Sequence, residues 1–208
     1  MIAFAAAVLL LASAPCKDAT SCRTACEKKN HDACVALAGM YGRGQGVAKD
    51  LTKMVSLLVD GCEAGHAKSC GELGFLYDNG VGVSKNASRA ATLYEKACEG
   101  GHLAGCVNRG AQLEVEDRFN EAAKLHKKAC DGGEAAGCFA LGNLYFAADA
   151  ADRAAELWKK ACDANDGGAC YNLAMATRDG NGVKKDEAAA KKLLAKACKL
   201  GEKAACPK

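Results

Sequence analysis

Six pairs of cysteines recur along this chain at a single spacing. Cys26 is followed by Cys34, Cys62 by Cys70, Cys98 by Cys106, Cys130 by Cys138, Cys162 by Cys170 and Cys198 by Cys206. Each partner stands eight positions after the first, and the pairs return every 36, 36, 32, 32 and 36 residues. A period of that length marks a supersecondary unit that stacks on copies of itself. Composition narrows the unit to helices. Half the residues are hydrophobic by type, aromatics make up 5%, and there are 2 prolines. The expected fold class is all-α, a solenoid of helix-turn-helix repeats.

The columns of the repeat support helices. Five residues before the first cysteine stand Leu57, Leu93, Leu125, Leu157 and Leu193. Eight before it stand Met54, Ala90, Ala122, Ala154 and Ala190, on the same helical stripe. Beyond the second cysteine, Leu37, Leu73, Arg109, Leu141 and Leu173 lie three positions on, followed by alanine or glycine at four. Spacings of three, four and seven define one buried face, with small residues where helices touch. Arg109 breaks the leucine column. Its long stem predicts apolar packing with the charged end carried out to solvent.

Two cysteines eight apart on one helix would be separated by about 12 Å. A disulfide needs Cα atoms about 4.4–6.8 Å apart, so the chain must turn between them. Glycine two or three residues past the first cysteine supplies the helix stop. Each disulfide then clamps the end of one repeat to the start of the next. Closing so short a loop contributes roughly 2–3 kcal/mol by chain entropy. Zinc sites favour cysteines two to four residues apart, and no Cys-x-x-Cys occurs. Cys16 and Cys22 could form a seventh bridge.

Within a repeat the helices are joined by glycine-bearing stretches at 41–50, 77–86 and 178–186, where left-handed glycines are expected. The two 32-residue repeats pass instead through LEVED (113–117) and YFAAD (145–149). The glycines form no phosphate-binding pattern.

Residues 2–14 are apolar, uncharged and end in Ala-Ser-Ala, which predicts a signal peptide over 1–14. With the cysteines, this points to a secreted or periplasmic protein. Residues 15–30 are expected to form an N-terminal capping helix, and 31–208 five repeats with a C-terminal cap. No segment is long enough to span a membrane. A net charge of +3 argues against nucleic acid as a partner. Lysine pairs at 127–128, 159–160 and 191–192 read as a solvated face complementing helix dipoles.

The arrangement in residues 70–98, CGELGFLYDNGVGVSKNASRAATLYEKAC, resembles the Sel1-like repeat, a relative of the tetratricopeptide repeat. The paired cysteines make the chain similar to the secreted Helicobacter cysteine-rich group. The resemblance covers about residues 20–206 and implies a right-handed superhelix with a concave groove. By the same resemblance, groove positions lie one, two and five residues after each second cysteine. They include Glu72, Phe75, Asn108, Phe139, Asn143, Tyr171, Asn172 and Met175. Aromatic and methionine side chains supply contact area there, and asparagine can pair with a peptide backbone. Packing of repeat on repeat is the competing role for each. Trp158 shares its column with Leu58, Tyr94, His126 and Leu194 and reads as core. His31, His66, His102 and His126 lack a third ligand, so neither metal nor cofactor is implied.

These features predict a monomeric, non-enzymatic scaffold that binds a protein or peptide, with a cell-wall fragment as another candidate ligand. The resembled group also carries an alternative, penicillin binding with weak β-lactam hydrolysis. Neither Ser-x-x-Lys nor Lys-Thr-Gly is present to support it.

Overall fold

The computed structural model describes residues 16–206; the expected signal peptide lies outside them. Eleven α-helices and one short 3-10 turn are found among the described residues, and no strand. They are α1 (Ala19–Glu27), α2 (His31–Arg43), α3 (Leu51–Glu63), α4 (Ala67–Asn79), α5 (Ala87–Glu99), α6 (Leu103–Val115), α7 (Phe119–Asp131), α8 (Ala135–Ala147), α9 (Ala151–Asp163), α10 (Gly167–Asp179) and α11 (Glu187–Lys199). The 3-10 turn spans Lys203–Ala205.

The chain forms two compact units, Met1–Ala90 and Ala91–Lys208, with the division inside α5. In the first, α1 packs on α2, α2 on α3, and α3 on α4, while α2 also meets α4. In the second, each helix from α6 to α11 packs on its successor, and α6 meets α8. Contact with the next helix and the next but one is the packing of a helical-repeat solenoid.

All fourteen cysteines are paired, each with the partner its spacing predicts. Cys26 bonds Cys34, Cys62 bonds Cys70 and Cys98 bonds Cys106. Cys130 bonds Cys138, Cys162 bonds Cys170 and Cys198 bonds Cys206. The Cα atoms of these six pairs lie 4.5–4.9 Å apart. The seventh bridge joins Cys16 to Cys22. From α2 to α10 the register is constant. The first cysteine is the penultimate residue of one helix and the second is the fourth residue of the next. The turn between them reverses through a left-handed residue three past the first cysteine. Glycine fills that place at Gly65, Gly101, Gly133 and Gly201, but Lys29 (φ 63) and Asn165 (φ 67) fill it in two junctions. The shortened repeats use the same device inside the repeat, turning through Asp117 and Asp149, both at φ 59.

The lysines do more than the sequence suggests. Lys127 and Lys159 pair with Asp131 and Asp163 one helical turn on. Lys128, Lys160 and Lys196 each donate to a carbonyl of the preceding repeat, on Cys98, Cys130 and Cys162, at 3.0, 2.9 and 2.6 Å. Each of these lysines stands two residues before its own cysteine and adds a second donor to a helix-end carbonyl that already accepts from Gly101, Gly133 or Asn165 in the junction turn.

Arg109 departs from the expectation. Its side chain is 9% exposed, and its guanidinium is not carried to solvent. It donates to Glu95 at 2.8 Å and Glu116 at 3.2 Å, and Arg118 links Glu116 to Glu121. Partnered carboxylates make burial of the charge tolerable in place of leucine.

Candidate ligand-binding site

The Trp158 column is core, as expected. Leu58, Tyr94, His126 and Trp158 are all buried. Gly142 lets the indole approach: a Cβ there would lie 2.7 Å from Trp158 Cδ1. Phe146 packs tilted on the indole, centroids 5.3 Å apart.

An indole N–H can only donate. Trp158 Nε1 donates to Asn143 Oδ1 at 3.0 Å, which fixes the orientation of that amide. The same oxygen accepts from Asn172 Nδ2 at 3.0 Å, and so the second amide is oriented by the first. Asn143 Nδ2 and Asn172 Oδ1 have no hydrogen-bond partner among the described residues, and both residues are partly exposed. One donor and one acceptor, held from behind, are left to a ligand.

These amides line a cavity of about 390 Å³ in the second unit, with Phe146, Trp158, Met175, Ala176, Asp179 and Asn181. Phe146, Trp158, Met175 and Ala176 supply its apolar part. At the mouth, Arg178 donates twice to Asp179 and holds its carboxyl below the ordinary aspartate range.

Three of the eight groove candidates, Asn143, Asn172 and Met175, are thereby brought to one cavity. Phe139 and Tyr171 are partly buried and pack against the hydrophobic cluster around Trp158. Asn108 is partly exposed on α6. Glu72 and Phe75 are exposed on α4, in the first unit. The paired cysteines, by contrast, take no part in the cavity lining. Phe146, Asp179 and Asn181 escaped the sequence reading because they lie outside the three groove offsets. A second pattern also escaped it. Tyr41, Tyr77 and Tyr145 each lie beneath a cation, Lys53, Arg89 and Arg153, at 5.4, 5.0 and 5.7 Å from the ring centroid. The signal was present in the columns: where tyrosine gives way to Leu113 or Thr177, the cation gives way to Glu121 or Ala189.

The histidines are placed structurally. His66 and His102 occupy N-cap positions, and His66 stacks on His31 with centroids 5.6 Å apart. Ser69 Oγ lies 2.9 Å from His66 Nδ1, and His66 Nε2 lies 3.6 Å from Asp32. That order evokes a hydrolytic triad, but Ser69 is fully buried beneath Gly61 and offers no hydroxyl to a substrate. Among the described residues, no group of three or more His, Cys, Asp or Glu could hold a metal ion. None of their helices is long and apolar enough to cross a membrane.

The family model described as Sel1 repeat matches residues 31–53, 67–102, 105–134, 135–166 and 168–202. No curated protein matches the chain. Among solved structures, a Sel1 repeat protein from Oxalobacter formigenes is 26% identical, with a TM-score of 0.78 over 89% of this chain and 77% of that one. Immunity protein Pa5087 from Pseudomonas aeruginosa shares the fold at 22% identity and a TM-score of 0.63, over 84% of this chain and 67% of that one. Helicobacter pylori cysteine rich protein B is 32% identical over 59% of this chain and 93% of its own, with a TM-score of 0.49.

Proposed function

Because the chain belongs to the Sel1 repeat family, whose repeats serve as protein-interaction scaffolds, we propose that it binds an extended polypeptide segment in the Asn143–Asn172 cavity. The observation that carries this reading is the pair of open amide groups. A donor at Asn143 Nδ2 and an acceptor at Asn172 Oδ1 match the C=O and N–H of an extended peptide backbone. The wall of Trp158, Phe146, Met175 and Ala176 takes an apolar side chain of that segment. Asn108 extends the candidate face in the second unit, and Glu72 and Phe75 offer contact area in the first. Phe139 and Tyr171 act chiefly by packing. Fourteen paired cysteines support an oxidising compartment, secreted or periplasmic, and the scaffold acts there as a monomer.

The test uses the full disulfide-bonded chain. Peptides enriched from a random phage-displayed library are measured by calorimetry against the parent and Asn172→Ala, which leaves the Trp158–Asn143 bond in place. Loss of one ligand hydrogen bond weakens binding roughly three- to ten-fold. Equal affinity for the variant, or failure of any library peptide to bind while muropeptides titrated in the same calorimeter do, would sink the reading.

A further inference from the structure

The glycine-bearing connections have a use beyond turning the chain. Gly82 and Gly182, both left-handed, press onto the start of the second helix of the repeat before them, and Gly46 lies in ordinary contact over the start of α1. A Cβ at Gly46 would lie 3.7 Å from Ala19, and one at Gly82 would lie 3.1 Å from Leu51 and 3.2 Å from Val55. One at Gly182 would overlap the Ala151 backbone. Only a residue without a side chain approaches a helix start this closely. The valine that follows Gly182 packs into the hydrophobic cluster.

One internal helix start in the second unit lacks this cover. Leu51, Phe119 and Ala151 share a register position, eleven residues before the first cysteine. Leu51 and Ala151, under their glycines, are partly buried. The repeat after Phe119 is a shortened one, and it joins α8 to α9 through Ala148–Ala150, which contains no glycine. Phe119 is 50% exposed, and Val115 just before it is 87% exposed. Ala87 and Glu187, at the same register, are exposed as well, so Phe119 is the uncovered place that carries a large apolar side chain.

We propose that Phe119 is a docking point for an extended Gly-x-Gly-Val-like segment supplied by a partner polypeptide, laid on α7 as residues 180–183 are laid on α9. The occupant follows from the chain's own covered examples. It approaches through glycine because the helix start leaves no room for a Cβ, and its valine reaches the groove beside the helix. This surface is separate from the Asn143–Asn172 cavity and does not depend on it.

The probe is the synthetic peptide RDGNGVKKD, the sequence of residues 178–186. It is titrated into the full disulfide-bonded chain while NMR follows the Phe119 ring and the Ala123 methyl. Saturable shifts are expected at both. Read at the Ala123 methyl, the affinity falls roughly ten-fold with Phe119→Ser, the share carried by burying half a phenylalanine, and similarly when the peptide's second glycine becomes valine. Phe119 is exposed, and an unchanged melting temperature for Phe119→Ser verifies the fold. Absence of shifts, or shifts of equal strength in Phe119→Ser, overturns the proposal. So does a concentration-dependent dimer in sedimentation that Phe119→Ser abolishes, because the occupant is then a second copy of the chain.

Discussion

Trp158 Nε1 donates to Asn143 Oδ1 at 3.0 Å, joining a buried core residue to an open amide. The bond makes the core a rigid backing for the cavity. Replacing Trp158 by phenylalanine keeps an aromatic ring in the core and removes the donor.

Trp158→Phe is expected to cost about 1 kcal/mol from the lost bond, with a further term for volume. The sharper measurement is a double-mutant cycle with Asn143→Ala in urea denaturation of the disulfide-bonded chain. The two changes should be non-additive by at least ~0.5 kcal/mol. Strict additivity would show that the bond does not couple core to cavity.

Arg109→Leu restores the leucine column. A buried ion network replaced by well-packed aliphatic volume is often neutral or stabilising by about 1 kcal/mol. Glu95 and Glu116 keep solvent access, with side chains 52% and 45% exposed. Arg109→Ala instead leaves a void and should destabilise by roughly 2–3 kcal/mol. Chemical denaturation of both variants checks the order.

Arg118 holds the carboxyls of Glu121 and Glu116 below the ordinary glutamate range, chiefly by side-chain hydrogen bonds. A lowered folded-state value gives stability that is present above the unfolded value and lost as pH falls through the folded one. Arg118→Gln should therefore raise both titration midpoints toward the ordinary value, as read by carboxyl-carbon NMR. It should also flatten the fall in melting temperature on acidification. Unmoved midpoints would contradict the network.

Lys29 and Asn165 adopt the left-handed conformation that glycine holds in the other junctions. Lys29→Gly is expected to stabilise the chain by up to ~1 kcal/mol through relief of the Cβ clash. Asn165→Gly should give less, because asparagine tolerates this region. Thermal unfolding of the two variants ranks them.

Periodicity and cysteine spacing made much of the fold legible. Leucines at fixed offsets place the helices, and an eight-residue interval forces a turn between bonded cysteines such as Cys62 and Cys70. Left-handed Lys29 was not legible, because no side-chain preference announces it. The Lys128–Cys98 and Lys160–Cys130 contacts hid for another reason: their partners lie 30 residues apart. Arg109 misled because its acceptors, Glu95 and Glu116, sit on either side of it in the chain and are ordinary surface residues by type. At the candidate site, Asn143, Asn172 and Met175 were singled out by repeat position, and they line one cavity. Phe146 was missed because it stands eight residues past Cys138, outside the three groove offsets.

From Cys62 onward, the pairing of each cysteine with its nearest neighbour in the chain also orders how the molecule can be made. As the chain emerges from its N-terminal end, each bridge can close before the next pair of thiols arrives. For these five bridges the native partner is the one whose encounter costs least loop entropy, whereas Cys22 stands closer in the chain to Cys26 than to its partner Cys16. Beyond Cys34, mispairing would require a longer loop to close first, so oxidation there proceeds along the chain with little need for reshuffling.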